Sequence, residues 1–297
     1  MTMPSRLAFE RDGRDWPNRA ASRFVRAGGF TWHVQSMGRG PAVLLLHGTG
    51  AATHSWRDLA PLLAARLAVI APDLPGHSFT ETPPARLLSL PGMSASLAAL
   101  LRVLDVAPAL VVGHSAGAAI AARMCLDGMI APRGLISFNG ALLPPYGLPG
   151  QVFSPLAKLL VCLPLLPNLF AWRANDPQVV ARLLHATGSR LTPAGVALYA
   201  RLVRNPRHTG AVLAMMAHWD LHPLLRDLPR LAPALLLVTG SNDRSIAPAE
   251  AEQVRALLPA AQRVSMPGLG HLAHEEQPGA AARLVLRFAA DLGVLAA

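Results

Sequence analysis

Five short apolar runs limit what this chain can fold into: AVLLLHG (42–48), LAVIAPD (67–73), ALVVG (109–113), GLISFNG (134–140) and ALLLVTG (234–240). A strand with one face in water alternates apolar and polar residues. These runs do not alternate, so both of their faces are covered, which is the mark of a parallel sheet between helical layers. The segments between them have helical spacing. HSWRDLAPLLAAR (54–66) reads as a helix, and MSASLAALLRVLD (93–105) places Leu97, Leu100, Leu101 and Leu104 on one face. Further helices are expected from Ala116 to about Leu126, from about Pro248, and from Pro278 to about Leu292, with one more strand at QRVSM (262–266). The expected fold class is α/β, with a mostly parallel twisted sheet covered by helices on both faces.

The rhythm breaks once. Residues 142–231 hold helical stretches and proline breaks but no convincing strand. The expected organisation is a core of residues 1–141 and 232–297, with a helical lid of residues 142–231 inserted over the strand ends, where open α/β sheets bind ligands. A length of 297 residues suits one such unit. With 52% hydrophobic and 15% charged residues, a large core is expected, with some apolar surface left over.

No apolar run reaches the ~18 residues of a membrane span. The start, MTMPSRLAFERDGRDW, is charged and has no signal-like apolar core, so the expected location is cytoplasmic. Cys125 and Cys162 suggest no disulfide framework. The net charge is +10, and Lys158 is the only lysine. Residues 142–230 carry nine Lys/Arg against three Asp/Glu, a net of +6. No basic run is interleaved with aromatics and no nucleic-acid module is recognised, so nucleic acid is not an expected partner.

The chemistry centres on VVGHSAGAAI (111–120). A strand, then Gly113-His114-Ser115-Ala116-Gly117, then a helix is the arrangement of a nucleophile elbow, in which the serine stands out at the top of the sheet. An ordinary strand-to-helix turn with a capping serine is the plainer alternative. A serine nucleophile needs a base. His271, in MPGLGHLAHEEQP, lies between the last strand and the last helix. His274 is the competing choice, read as structural. The base needs an orienting acid, and Asp243 in VTGSNDRSIAP follows the penultimate strand. The order Ser115, Asp243, His271 is the order this kind of site uses. An oxyanion hole is expected from the backbone N–H groups of Thr49, in LLLHGTG, and Ala116. His47 is read as a brace for that loop. Neither HExxH nor CxxC spacing is present, so no metal is expected, and no cofactor either.

These motifs resemble the α/β-hydrolase superfamily over nearly the whole length, through HGTG, APDLPGHS, GHSAG, GSNDRSIAP and GLGHLAHEEQP. Within it the chain is similar to the magnesium-chelatase accessory hydrolases of bacteriochlorophyll biosynthesis, on RDGRDWPNRAASRFVRAGG, HGTGAATHSWRDLAPLLA and the apolar lid. The resemblance implies a serine hydrolase of ester or thioester class linked to magnesium-porphyrin synthesis. The alternative it implies is a non-catalytic porphyrin-binding or magnesium-chelatase accessory protein with a vestigial triad. Haloalkane dehalogenases and epoxide hydrolases carry aspartate at the elbow, unlike Ser115. Cofactor-free haloperoxidases and carbon–carbon bond hydrolases keep the serine and stay open.

The insertion also suggests its ligand. Phe153, Trp172, Met215, Met216 and Trp219 are expected to line the substrate pocket, beside Tyr146 and Phe170 and rimmed by Arg173, Arg201, Arg204 and Arg207. Such a pocket suits a small hydrophobic substrate such as a porphyrin carboxylate. His185, His208, His218 and His222 are weaker candidates as axial ligands of a metalloporphyrin. The apolar segment 152–172, cut by Pro155, Pro164 and Pro167, is too broken to span a bilayer. It suits a peripheral membrane contact at the inner face, with Arg173, Arg182 and Arg190 toward anionic head groups. Packing against the core or a second subunit is the alternative.

Overall fold

A computed structural model of the chain describes residues 6–144 and 166–296, and for Leu166 and Pro177 the backbone alone. Tyr146, Phe153, Cys162 and residues 152–165 of the expected membrane-contacting segment lie outside the described residues.

The strands are β1 (Ser22–Ala27), β2 (Phe30–Met37), β3 (Ala42–Leu46), β4 (Ala68–Pro72), β5 (Leu110–His114), β6 (Gly134–Phe138), β7 (Ala234–Gly240) and β8 (Gln262–Met266). They form one sheet in the order β1-β2-β4-β3-β5-β6-β7-β8. From β4 to β8 all neighbours are parallel; β1–β2 and β2–β4 are antiparallel. The expected strands are all present. The antiparallel hairpin β1–β2 was missed, although Gly28-Gly29, both at positive φ, is the two-residue turn that signals one.

The continuous apolar runs have a simple cause. Successive side chains of each strand enter two different cores. Leu44, Leu46, Val111, Leu135 and Leu237 pack with α2 (Leu90–Leu104) and α3 (Ala116–Leu126). Val43, Leu45, Val112, Ile136 and Val238 pack with α1 (Leu59–Ala64) on the opposite face. The C-terminal helix, Pro278–Asp291, joins α1 there. The helix expected over 54–66 is split into a 3-10 turn, Thr53–Trp56, and α1. Pro61 explains the split. Deep inside a longer helix it would clash with the preceding turn, whereas in the first turn of α1 its missing N–H costs nothing. Conversely, α2 starts earlier than expected because Ser89 caps it, accepting from Gly92 N at 3.2 Å.

Between β6 and β7 the described residues contain five α-helices, a short 3-10 turn (Leu228–Arg230) and no strand. The α-helices are α4 (Leu166–Arg173), α5 (Pro177–Ala186), α6 (Pro193–Val203), α7 (Pro206–Ala217) and α8 (His222–Asp227). The prolines read as breaks are mostly starts. Asp176, Thr192 and Asn205 cap α5, α6 and α7 through their side chains, each immediately before a proline. A polar N-cap followed by proline satisfies the free N–H groups of the first turn and presets its φ. After these come α9 (Glu250–Leu257), a single helical turn at Ala273–Glu276, and α10 (Pro278–Asp291).

Candidate active site

The sheet brings the candidate residues together at the C-terminal ends of its strands. Ser115 alone separates β5 from α3. Its backbone is at φ 51°, ψ −119°, a conformation that is costly for a residue with a side chain and that clusters at functional sites. The neighbours are small because the turn is tight. A Cβ on Gly117 would run into the Leu46 carbonyl, and one on Gly113 would lie 2.5 Å from Ala118 Cα. A Cβ on Gly48 would come 3.0 Å from Ser115 Cβ and 2.7 Å from His114 Nδ1, so the loop carrying Thr49 lies directly against the elbow. Ser115 is half-buried and Thr49 exposed amid buried neighbours. Ala116 is the first residue of α3, so its N–H has no partner within the helix.

His271 Nδ1 donates to Asp243 Oδ2 at 2.8 Å. The other oxygen of Asp243 accepts from Ser245 N at 2.7 Å and Ile246 N at 3.0 Å, so the acid is fixed by its own loop. Asn139, just after β6 and at φ 47°, donates Nδ2 to Asp243 Oδ2 at 2.7 Å. This residue was missed from sequence; its signal was the polar residue ending GLISFN at a strand end. The ring of His114 lies 4.7 Å from that of His271 and its Nε2 donates to the His271 carbonyl at 3.0 Å. No hydrogen bond joins Ser115 Oγ to His271 among the described residues. Catalytic hydrogen bonds of this kind tighten when substrate arrives.

His274 does not compete for the acid. It is fully buried, its ring lies 4.5 Å from that of His114 at a tilt of 45°, and its Nε2 donates to Ser55 Oγ at 2.9 Å. Burial pushes its imidazole down to about 3, so it stays neutral at ordinary pH. Ser55 in turn donates to Glu275, whose carboxylate also accepts from Tyr199 at 2.6 Å and Arg57 at 2.5 Å. Burial raises the pKa of Glu275, while Arg57 and these hydrogen bonds oppose it. His47 is the expected brace: Nδ1 donates to Gly48 O at 2.8 Å, and Nε2 accepts from Leu74 N at 2.9 Å.

The pocket expectations are only partly met in place. Met215 is buried, and Thr49 Oγ1 reaches its sulfur at 3.9 Å. Trp219 packs against the core cluster that includes Met215. Trp172 and Met216 are 65% and 59% exposed, so they stand on the solvent side of α4 and α7. The expected arginine rim also needs correcting. Arg201 is bound to Asp15 by two 2.7 Å bonds, and Arg204 Nε donates to Ala174 O at 2.9 Å, so both guanidinium groups are already in use. His208 is not an available axial ligand either. Its Nδ1 accepts from Ser78 N at 3.0 Å and its Nε2 donates to Gly50 O at 3.3 Å. His185, His218 and His222 are exposed on the insertion.

A model of the alpha/beta hydrolase family matches residues 43–284, a span from β3 to the C-terminal helix that includes all three triad candidates. The chain belongs to the α/β-hydrolase family. It is 40% identical over 263 residues to the magnesium-chelatase 30 kDa subunit of Rhodobacter capsulatus, a match covering 88% of this chain and 92% of that one. It is 28% identical over 285 residues to the 2-hydroxy-6-oxo-6-phenylhexa-2,4-dienoate hydrolase of Burkholderia cepacia, covering 88% and 92%. Among solved structures, an alpha/beta hydrolase fold protein from Burkholderia ambifaria superposes with a TM-score of 0.74 at 25% identity, covering 90% of this chain and 97% of that one.

Proposed function

We propose that this α/β hydrolase cleaves an ester or thioester of a hydrophobic substrate, with Ser115 as nucleophile. The observation that carries the reading is the closed Asp243–His271 bond beside a serine held at positive φ between a strand and a helix. His271 Nε2 takes the proton as Ser115 Oγ attacks the acyl carbon, and then delivers it to the leaving group. Asp243 holds the imidazole with its proton on Nδ1. The N–H groups of Thr49 and Ala116 bind the oxyanion of each tetrahedral intermediate. Water, activated by His271, then releases the acyl group and restores Ser115. A fluorophosphonate probe tests the nucleophile. Ser115 should be labelled in the folded protein, and Ser115→Ala should abolish labelling. A folded protein that resists the probe would count against the reading.

The 40% identity to a magnesium-chelatase subunit supports a substrate linked to magnesium-porphyrin synthesis, and a magnesium chelatase as partner. The second reading is an accessory protein that binds a porphyrin and leaves the triad unused. It draws on the same relative's being named as a subunit, and on the Ser115 hydroxyl, which makes no hydrogen bond among the described residues. Pigment-synthesis complementation separates the two: Ser115→Ala fails if chemistry is needed and succeeds if binding suffices.

The residues of the 142–231 insertion form the lid in this reading. Leu169, Phe170, Trp172, Leu183 and Met216 are exposed apolar residues of α4, α5 and α7, and the exposed Arg173 follows Trp172. They suit contact with the interface of an anionic membrane, from which a lipophilic substrate enters. No helix of the described residues is long and apolar enough to cross a membrane. Flotation with anionic vesicles at low salt tests the contact, and protein that stays in the soluble fraction would end it.

A further inference from the structure

Four of the six residues between α5 and α6, Thr187–Arg190, reach out of the insertion and bind both loops that carry the acid and the base. On the acid side, the Thr187 carbonyl accepts from Arg244 N at 3.1 Å, and the Gly188 carbonyl accepts from Asn242 Nδ2 at 2.8 Å. Asn242 and Arg244 flank Asp243. On the base side, the same Thr187 carbonyl accepts from His271 N at 3.3 Å, and Ser189 Oγ accepts from Leu272 N at 2.8 Å. A third link runs through Glu276, whose two carboxylate oxygens accept from Arg190 N at 3.0 Å and Gly270 N at 2.8 Å. The approach is so close that no side chain fits. A Cβ on Gly188, at φ +86°, would strike the Asn242 carbonyl, and one on Gly270 would strike the backbone of Gly188 and Ser189.

We propose that this segment is a strap that sets the separation and orientation of the Asp243–His271 pair, with Ser189 as its positioning side chain. Ser189 is 1% exposed and, among the described residues, makes no hydrogen bond to the Asp243 carboxylate or the His271 ring. Its hydroxyl is the acceptor that holds Leu272 N, one residue beyond His271. Without it that N–H is left buried and unpaired, a loss large enough to displace the loop. The strap therefore makes residues 187–190 of the insertion part of the geometry of the Asp243–His271 pair. This inference rests on the reading of Ser115, His271 and Asp243 as a working relay.

The test follows the His271 Nδ1 proton, shared with Asp243, as a downfield proton resonance assigned by its loss in His271→Ala. Ser189→Ala should speed exchange of that proton with water about tenfold, the scale of one bond lost from a buried donor. Asn242→Ala, which removes the strap's side-chain bond on the acid side from a surface position, should speed it in the same direction and guards against a Ser189 variant that fails to fold. Thr192→Ala removes the N-cap of α6 without touching either loop and should leave exchange unchanged. Labelling of Ser115 by the fluorophosphonate should slow in Ser189→Ala and not in Thr192→Ala. Exchange at the parent rate in both strap variants would overturn the proposal, as would equal acceleration in Thr192→Ala. If the parent protein exchanges slowly but is never labelled, the hydrolase reading fails alone, because the proton still decides the strap.

Discussion

At the residue scale, backbone clearance and buried charge decide more than the triad itself. Gly117 faces the Leu46 carbonyl so closely that Gly117→Ala requires the elbow to move. We expect that variant to lose labelling of Ser115 and to melt at lower temperature than Ser115→Ala, which removes one oxygen and leaves the turn intact; equal melting points would refute this. Behind His271, Glu275 is fully buried and accepts hydrogen bonds from Ser55, Tyr199 and Arg57. Tyr199→Phe removes one donor and should cost about 1–3 kcal/mol in urea unfolding. Glu275→Gln leaves the Arg57 guanidinium without its buried counter-charge and should cost more, about 3–5 kcal/mol. If the two variants unfold at the same urea concentration as the parent, the carboxylate is not holding Arg57 and the insertion together. Of the candidate-site residues, Ser115, Asp243, His271 and the elbow glycines were legible beforehand. Glu275, Asn139 and Ser189 act through neighbours 76 to 220 positions distant in the chain, and no local pattern marks such pairs.

At the element scale, the strands and most core helices were readable because their signals are local. Five buried positions in a row, bounded by a polar residue or glycine, specify a strand whatever lies beyond it. The hairpin β1–β2 was less visible. β1 lies at the sheet edge and buries only Ala27, so its sequence SRFVRA carries little apolar signal. The inserted helices sit between these cases. Their caps are written in DP, TP and NP, and each cap is testable alone. Asn205 accepts from both Arg207 N and His208 N, so Asn205→Ala should cost about 1 kcal/mol of stability. It should also loosen His208, which binds α7 to the loops at Gly50 and Ser78. A thermal melt unchanged within error would show that α7 does not depend on its cap.

At the scale of the whole molecule, burial of neutral histidines sets a pH dependence. His47, His54, His77, His114, His208 and His274 are all buried, and burial lowers each of their pKa values, His208 to about 4 and His274 to about 3. In the unfolded chain they titrate near 6.5. Below that pH the unfolded state binds more protons than the folded one, so stability is full above about pH 6.5 and declines as pH falls toward 4. Unfolding by urea across pH 4–8 should show this decline, and His208→Gln should lower the slope inside the window by about 1.4 kcal/mol per pH unit. A stability flat from pH 8 to 4 would contradict it. The sequence by itself determined the α/β class and the GHSAG turn between a strand and a helix, and it singled out Ser115, Asp243 and His271 in that chain order, since each stands in a few adjacent residues with their own backbone demands. Only the tertiary structure decided that Asn139 joins His271 at Asp243, that Arg201 and Arg204 are bound to the protein's own groups, and that residues 187–190 bond to the loops of both Asp243 and His271. Those outcomes depend on which distant segments meet at the strand ends, a geometry set by the packing of the sheet and its helices and by no single stretch of the chain.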